Sequence, residues 1–166
     1  MDKVAILVVA AHLQALMGLN AHIFPREPLP EYAYQHGRRQ YDALKIVNTL
    51  ASHAGPVPLT LGITQCDICT PILTFVFGES QLGGRAALIS LHRIMHQRTE
   101  IMYTRAAKIG LHEVGHLLGI GHCRSLGCVM HFSDNLEKLD LMELAFCYAC
   151  NVERSRRLRQ LFPPPA

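Results

Sequence analysis

The sequence predicts an α/β (α+β) fold in a single domain that spans residues 1–166. Some apolar runs are short and alternate with polar residues, as strands do, whereas longer runs repeat with helical spacing. A chain of 166 residues suits one domain with a sizeable core, and no internal repeat or linker divides it. Hydrophobic residues make up 49% of the chain and charged residues 17%, a composition typical of globular proteins.

The first third of the chain is predicted to open with a strand. Residues 4–9 form a short, branched apolar run, and Asp2 weakens the positive end that a signal peptide needs, so a buried strand is the better interpretation. We then expect a short helix over 11–18, a strand over 21–24, a stiff link at the prolines of 25–30, and a helix over 31–54.

The remaining elements follow from alternation, glycines and helical spacing. We expect strands over 57–64, 74–77 and 85–91, the second ended by Gly78. A long helix is predicted to begin near Thr99 as its N-cap, and a last helix covers 135–160 before the prolines of 163–165. The long helix has a predicted buried stripe made of Ala107, Leu111, Val114 and Leu118.

Residues 112–123 carry the pattern His-Glu-x-x-His-x-x-Gly-x-x-His-Cys. On a helix, His112 and His116 project from one face and can bind one metal ion together. Glu113 lies about 100° around the helix axis from His112, where its carboxylate can move a proton of a zinc-bound water without being a ligand.

The third histidine requires the helix to end. Were the helix to continue, His122 would lie about 9 Å beyond His116 and about 120° off its face. Gly119 supplies the left-handed conformation that ends helices, so we predict a helix, a glycine turn and a third ligand. Three protein ligands leave one zinc position open, which is the catalytic arrangement. The structural alternative is an amphipathic helix with scattered surface histidines.

Four cysteines are spaced as in structural zinc sites. Cys123 and Cys128 are separated by four residues, and Cys147 and Cys150, on the predicted last helix, by two. A zinc ion held by these thiolates would tie that helix to the loop that carries His122. A competing pair, Cys66 and Cys69, has redox-pair spacing and could replace one of the other pairs, or could simply be two partly buried thiols.

Composition limits the partners and the compartment. The net charge of +3 does not demand an acidic partner, and the late arginines 154, 156, 157 and 159 read as a solvated helix face rather than a nucleic-acid contact. No apolar stretch is long enough for a membrane helix. We therefore expect a cytoplasmic monomer with no nucleic-acid or membrane partner, whose cysteines stay reduced.

This set of histidines and cysteines resembles the archaemetzincins, a family of small zinc metalloproteases of the metzincin clan. Further segments at 39–41, 75–79 and 87–91 resemble the family as well, so the likeness covers most of the chain. It implies a compact domain with a twisted mixed β-sheet packed on helices, a long catalytic helix and a C-terminal helix. The residues 66 and 69 are not part of the family pattern.

The resemblance also implies two Zn²⁺ ions. One is catalytic, on His112, His116 and His122, with Glu113 as general base. The other is structural, on the cysteines 123, 128, 147 and 150. Met130 is expected to pack beneath the catalytic zinc without binding it, and the strand over 85–91 to pair with an extended substrate.

The leading hypothesis is therefore a zinc-dependent metallopeptidase that hydrolyses a peptide or protein substrate. Two alternatives stay open from sequence: a catalytically weak zinc-containing peptide-binding module, and a nucleic-acid-binding zinc module. The low charge and the lack of aromatic residues among basic ones weigh against the latter. His92, His96 and His131 are expected to be surface histidines.

Overall fold

Helices and short strands alternate along the chain in a computed structural model, which describes residues 2–25 and 27–163. The helices are α1 (Lys3–Met17), α2 (Ala43–His53), α3 (Thr99–Leu117), α4 (Leu136–Leu141) and α5 (Tyr148–Leu161). The strands are β1 (Tyr34–Gln35), β2 (Gln40–Asp42), β3 (Thr60–Thr64), β4 (Ile68–Cys69), β5 (Gly78–Ser80) and β6 (Ala86–Ser90). The predicted α/β class is confirmed.

The strands form two three-stranded sheets, in the orders β1-β2-β4 and β3-β6-β5, instead of the single sheet that was expected. Each sheet joins one parallel and one antiparallel pair, so both are mixed. Because β6 lies between β3 and β5, both of its edges are occupied. The prediction that this strand pairs with substrate is therefore wrong, and β5 is the edge strand nearest α3.

The strand predicted over 4–9 is wrong, because these residues belong to α1. Its buried side chains recur every fourth residue along one face, from Ala5 to Met17, and pack on α3. Asp2 caps the helix by accepting hydrogen bonds from the backbone N–H groups of Val4 and Ala5. Gly18, at φ +69°, ends it as predicted. Tertiary packing and two good caps thus override the strand preference of a branched run.

Two further predictions before residue 54 are wrong in part. Residues 21–24 have no regular structure, and the expected helix over 31–54 is reduced to α2, preceded by a 3-10 turn (Glu31–Ala33) and the β1–β2 hairpin. Asp42 sets the start of α2 by accepting a hydrogen bond from the N–H of Lys45. The link with Pro28 and Pro30, expected to be stiff and extended, contains neither helix nor strand, and Arg26 lies outside the described residues.

The strands next to the site are shifted from their predicted positions. β3 and β6 lie inside the predicted ranges 57–64 and 85–91, but the expected strand over 74–77 begins only at Gly78, as β5. Gly78 therefore opens a strand that it was expected to end. β4 was not predicted, since two residues are too few for a periodic signal.

α3 is the central element of the core, and its predicted buried stripe is confirmed for all four residues. It begins at Thr99, so the N-cap is Arg98 and not Thr99. The expected helix over 135–160 is wrong, because α4 and α5 are separate. Backbone bonds from Val129 to Ala145 and from Glu143 to Gly127 hold the intervening segment against residues 127–129. Pro164 and Pro165 lie outside the described residues.

Gly110 permits the close approach of α1 and α3, and a side chain there should weaken the packing. A Cβ atom on Gly110 would lie 2.7 Å from Cγ1 of Val9. We expect Gly110→Ala to lower the free energy of unfolding by about 1–2 kcal/mol in urea, despite the better helix propensity of alanine. Gly37→Ala is the control, because nothing lies within 4 Å of its Cβ position. Equal stability of the two variants would contradict this packing.

Candidate metal centre and active site

The backbone between the second and third histidines bends as the sequence predicts. His112 and His116 lie on the last turns of α3, and the chain leaves the helix at Gly119, where φ is +82°. The carbonyl of His116 accepts hydrogen bonds from the N–H groups of Gly119 and Gly83, both at 2.8 Å. The turn is therefore fixed by the helix end and by the loop that follows β5.

The bend brings the three imidazoles together. Nε2 of His116 lies 3.0 Å from Nε2 of His112 and 3.2 Å from Nε2 of His122. Tetrahedral zinc–nitrogen bonds of about 2.0–2.1 Å place ligand nitrogens roughly 3.3 Å apart. The spacing therefore fits one zinc ion at the centre of the three rings.

The hydrogen bonds of the other ring nitrogens define the tautomers. Nδ1 of His112 donates to the Val129 carbonyl at 2.8 Å, and Nδ1 of His116 donates to the Ile120 carbonyl at 2.7 Å. A carbonyl accepts only, so Nδ1 carries the hydrogen and Nε2 is left with a lone pair facing the other rings. Unprotonated nitrogens that face each other repel one another, unless a cation lies between them.

Burial keeps these imidazoles neutral. It lowers the pKa of His112 to about 3, with a further contribution from the neighbouring His116. Burial also lowers the pKa of His116 and of His122. Neutral imidazole is the form that binds a metal ion.

One side of the histidine group is open. His122 is exposed, and within residues 2–25 and 27–163 no further histidine, cysteine or carboxylate joins the three. The ring of Phe132 lies 5.1 Å from the ring of His122, edge to face. A zinc ion here would have three protein ligands and access to solvent, as catalytic sites do.

Glu113 lies beside this group and is buried between α3 and β5. Its side chain is 6% exposed, and the Ser80 hydroxyl donates a 2.6 Å hydrogen bond to its Oε2 atom. Burial raises the pKa of Glu113 to about 8; the Ser80 bond opposes this shift and the Glu79 carboxylate adds to it. The side chain is thus fixed in place and shielded from solvent, and a zinc ion at the histidines would lower this pKa and favour the carboxylate.

Met130 packs against α3, the helix that carries His112 and His116. It is fully buried, and its sulfur lies against the backbone of Gly115, where a Cβ atom would overlap it. Since Gly115 precedes His116, the methionine supports the helix at the level of the histidines without facing the open side.

Four cysteines form a second group. The sulfur atoms of Cys123, Cys128, Cys147 and Cys150 lie within 4.8 Å of one another. Cys123 and Cys147 are 3.7 Å apart, and zinc–sulfur bonds of about 2.3 Å imply sulfur separations of roughly 3.8 Å. The group therefore fits zinc. Cys66 precedes β4 and Cys69 lies in β4, and neither belongs to this group of four cysteines.

Cys147 differs from its predicted setting inside a helix, since it is the N-cap of α5. The backbone N–H of Cys150, in the first turn, is the main reason that the pKa of Cys147 falls to about 7. A helix start thus favours the thiolate that a metal requires.

α5 lies across the loop that carries His122. At one end of the loop, Cys147 approaches Cys123; at the other, the Arg157 guanidinium lies 3.1 Å from the position of a Cβ atom on Gly119. Nε of Arg157 donates to Glu153 at 2.7 Å, which orients the guanidinium. Residues 119–123 are therefore held by one helix at both ends.

The other singled-out residues have structural contacts. Arg154 donates to the Leu16 carbonyl at the end of α1, and Arg156 pairs with Glu153, so the late arginines are only partly a solvated face. His92 and His96 are exposed as predicted, but His131 is half-buried and donates to the Cys123 carbonyl at 2.9 Å.

Sequence reasoning missed four residues of this site: Gly78, Ser80, His131 and Arg157. Each acts through a contact with a residue outside its own helix, strand or turn, such as the bond between Ser80 and Glu113, which are 33 residues apart. No local pattern signals such contacts.

Comparison with known proteins decides the family, because the family model of peptidase family M54 matches residues 25–156. The chain belongs to peptidase family M54. The predicted resemblance is thereby confirmed, and the M54 chain is a zinc metalloprotease that acts on peptide substrates. Within its described residues, no helix combines the length and hydrophobicity that a membrane crossing requires.

Three relatives illustrate the likeness of this M54 chain. The archaemetzincin of Methanopyrus kandleri is 38% identical over 135 residues, which are 81% of this chain and 77% of the relative. Its crystal structure superposes with a TM-score of 0.89 at 34% identity, covering 95% of this chain and 87% of that one.

Two other solved structures agree. The archaemetzincin of Archaeoglobus fulgidus, complexed with malonate, gives a TM-score of 0.85 at 32% identity, covering 92% of this chain and 94% of that one. A zinc-dependent peptidase of Methanocorpusculum labreanum gives 0.73 at 28% identity, covering 88% and 91%.

The bend at Gly119 should be more sensitive to substitution than its neighbour. Gly119→Ala forces a side chain into a left-handed conformation and towards Arg157, so we expect a loss of about 1–2 kcal/mol in the free energy of unfolding. Gly121→Ala, in the same loop, has open space and should stay within about 0.5 kcal/mol of the unmodified protein. Both are measured by urea unfolding at one fixed zinc concentration. A loss as large for Gly121→Ala as for Gly119→Ala would contradict the assigned turn.

Proposed function

We propose that this protein hydrolyses peptide bonds at a zinc ion held by His112, His116 and His122, with Glu113 as the general base. The observation that carries the proposal is the convergence of three Nε2 atoms, with the two contacts from His116 at 3.0 and 3.2 Å. Their lone pairs face one another on a side open to solvent. A zinc ion held by these three residues would supply Lewis-acid chemistry, polarising a substrate carbonyl and lowering the pKa of water near it.

The protein's own groups supply the proton transfers and the positioning. Glu113 takes a proton from the attacking water and delivers it to the leaving amine. The carbonyls of Val129 and Ile120 accept the Nδ1 hydrogens of His112 and His116, which fixes the ring orientations and makes Nε2 more basic. Met130, packed on Gly115, supports these rings from below.

The free edge of β5 is the proposed place where an extended substrate pairs. Phe77 accepts a hydrogen bond from the N–H of Ser90, and Gln81 donates one to Ala86, so these residues face β6. In an antiparallel pair the backbone groups alternate, and those of Gly78 and Ser80 therefore point to the free edge. Strand addition at such an edge is a common mode of peptide recognition.

A second zinc ion on the four cysteines is proposed to be structural. Four thiolates close the coordination shell, so no position is left for a substrate. Cys123 directly follows His122, and Cys147 begins α5, so this zinc would fix the loop of the third histidine. A reducing compartment keeps such thiols available, and we propose a cytoplasmic location on this basis.

The proposed machinery is complete within one chain. All three histidines and Glu113 lie within residues 112–122, and Ser80 and Met130 complete their surroundings. We therefore propose that the monomer is active and that residues 1–166 act as one domain.

Removal of the general base tests the hydrolytic role directly. Glu113→Gln keeps the shape of the side chain but removes its proton acceptor, so we expect cleavage of an oligopeptide library to fall by roughly 10²- to 10⁴-fold. Zinc content, measured by mass spectrometry, should stay unchanged, because Glu113 is not a ligand. Cleavage at the unmodified rate would rule Glu113 out as the base. No cleavage by the unmodified protein would favour the zinc-containing peptide-binding module.

Metal counting tests the two proposed sites separately. We expect native mass spectrometry to find two zinc ions in the unmodified protein and one in His116→Ala, because that variant loses a central ligand of the histidine group. Cys128→Ser should also retain one ion, and its matched control Cys66→Ser should keep both, since Cys66 lies outside the group of four. A single ion in the unmodified protein, or two in His116→Ala, would contradict the assignment.

A further inference from the structure

The edge strand β5 contacts the general base through two residues on one of its faces. Gly78 and Ser80 are two positions apart, so both face the same side of the sheet. That side faces α3 and Glu113. Ser80 Oγ donates to Oε2 of Glu113 at 2.6 Å, a short bond typical of a hydroxyl on a carboxylate.

Gly78 leaves the space in which the carboxylate lies. A Cβ atom at residue 78 would lie 2.5 Å from Oε1 and 2.7 Å from Cγ of Glu113, closer than any side chain allows. The carboxylate therefore lies directly against the backbone of β5, and an ordinary residue at position 78 would displace it.

Ser80 is the only side-chain partner of this carboxylate within the part of the chain that the structure describes. No lysine, arginine or histidine pairs with Glu113 there. One carboxylate oxygen lies against Gly78 and the other is bonded to Ser80. These two contacts fix both the rotation of the carboxylate and its position along β5.

The same two residues present backbone groups to the free edge where the substrate is proposed to pair. Gly78 and Ser80 thus contact Glu113 through their Cα atom and side chain, respectively, and their backbone groups would pair with the substrate. A peptide that pairs with β5 in a fixed register would therefore also lie at a fixed position relative to Glu113.

From this geometry we propose that Ser80 is a positioning residue for the reaction. It holds the Glu113 carboxylate at a fixed place along the strand that aligns the substrate carbonyl. The inference rests on the proposed function of Glu113 as general base, and it adds a role for a residue that acts on the reaction through Glu113.

Hydroxyl removal and replacement provide the test. Ser80→Ala removes only the donor, and we expect kcat on a fluorogenic peptide chosen from an oligopeptide library to fall roughly tenfold, as for loss of a bond to a charged group. KM and zinc content should stay within about twofold, since neither substrate pairing nor the ligands change. Ser80→Thr keeps the hydroxyl and should retain most of kcat.

Ser90→Ala is the matched control, because it removes a hydroxyl from the neighbouring strand without touching Glu113. Ser90 Oγ donates to the Cys66 carbonyl at 2.6 Å. This variant should change stability but not kcat. Should Ser80→Ala fold poorly, Ser80→Cys keeps a weak donor at nearly the same volume and should give an intermediate kcat.

A crystal structure of Ser80→Ala gives a readout that does not need turnover. We expect the Glu113 carboxylate to leave its place beside Gly78. An unmoved carboxylate, or a kcat equal to that of Ser90→Ala, would overturn the positioning role even where Glu113→Gln abolishes cleavage. If Glu113→Gln also cleaves normally, or the unmodified protein cleaves nothing, the proposed function itself is overturned, and Ser80 loses its role with it.

Discussion

The structure is organised around three neutral imidazole nitrogens that face one another at separations close to those of nitrogen ligands around a zinc ion. Their closest contacts are 3.0 and 3.2 Å, and such lone pairs repel each other unless a cation lies between them. The fold prevents the rings from turning away, because the carbonyls of Val129 and Ile120 hold the Nδ1 hydrogens of two of them. The bend at Gly119 brings the third ring, that of His122, to the other two. This bend needs a positive φ, which glycine adopts at little cost.

The loop of residues 119–123 links this constraint to the rest of the molecule. α5 contacts the loop at Gly119 through Arg157 and at Cys123 through the cysteine group. His122 is exposed, so few of its own contacts fix it, and its position depends on how firmly the two ends of the loop are held. The proposed structural zinc would therefore influence the proposed catalytic zinc through the peptide bond that joins His122 to Cys123. β5 holds Glu113 in a comparable way, through Gly78 and Ser80.

Sequence was a good guide wherever a pattern is local. The spacing of three histidines and a glycine predicted the bend at Gly119, and helical spacing predicted the buried stripe of α3. It was a poor guide for α1, because a branched apolar run has the same composition in a strand and in a helix with an apolar outer face. For α1, the N-cap at Asp2 and the packing on α3 favour the helix over the strand. The contact of Ser80 with Glu113 depends on how β5 lies against α3, which no local pattern records.

Anomalous diffraction at the zinc edge, from crystals of the zinc-loaded protein, tests the convergence of the imidazoles most directly. We expect one zinc peak bonded to Nε2 of His112, His116 and His122 at about 2.0–2.1 Å, with exchangeable solvent in the fourth position. No zinc peak between these three rings, or a protein side chain in the fourth position of that zinc, would contradict a hydrolytic site there.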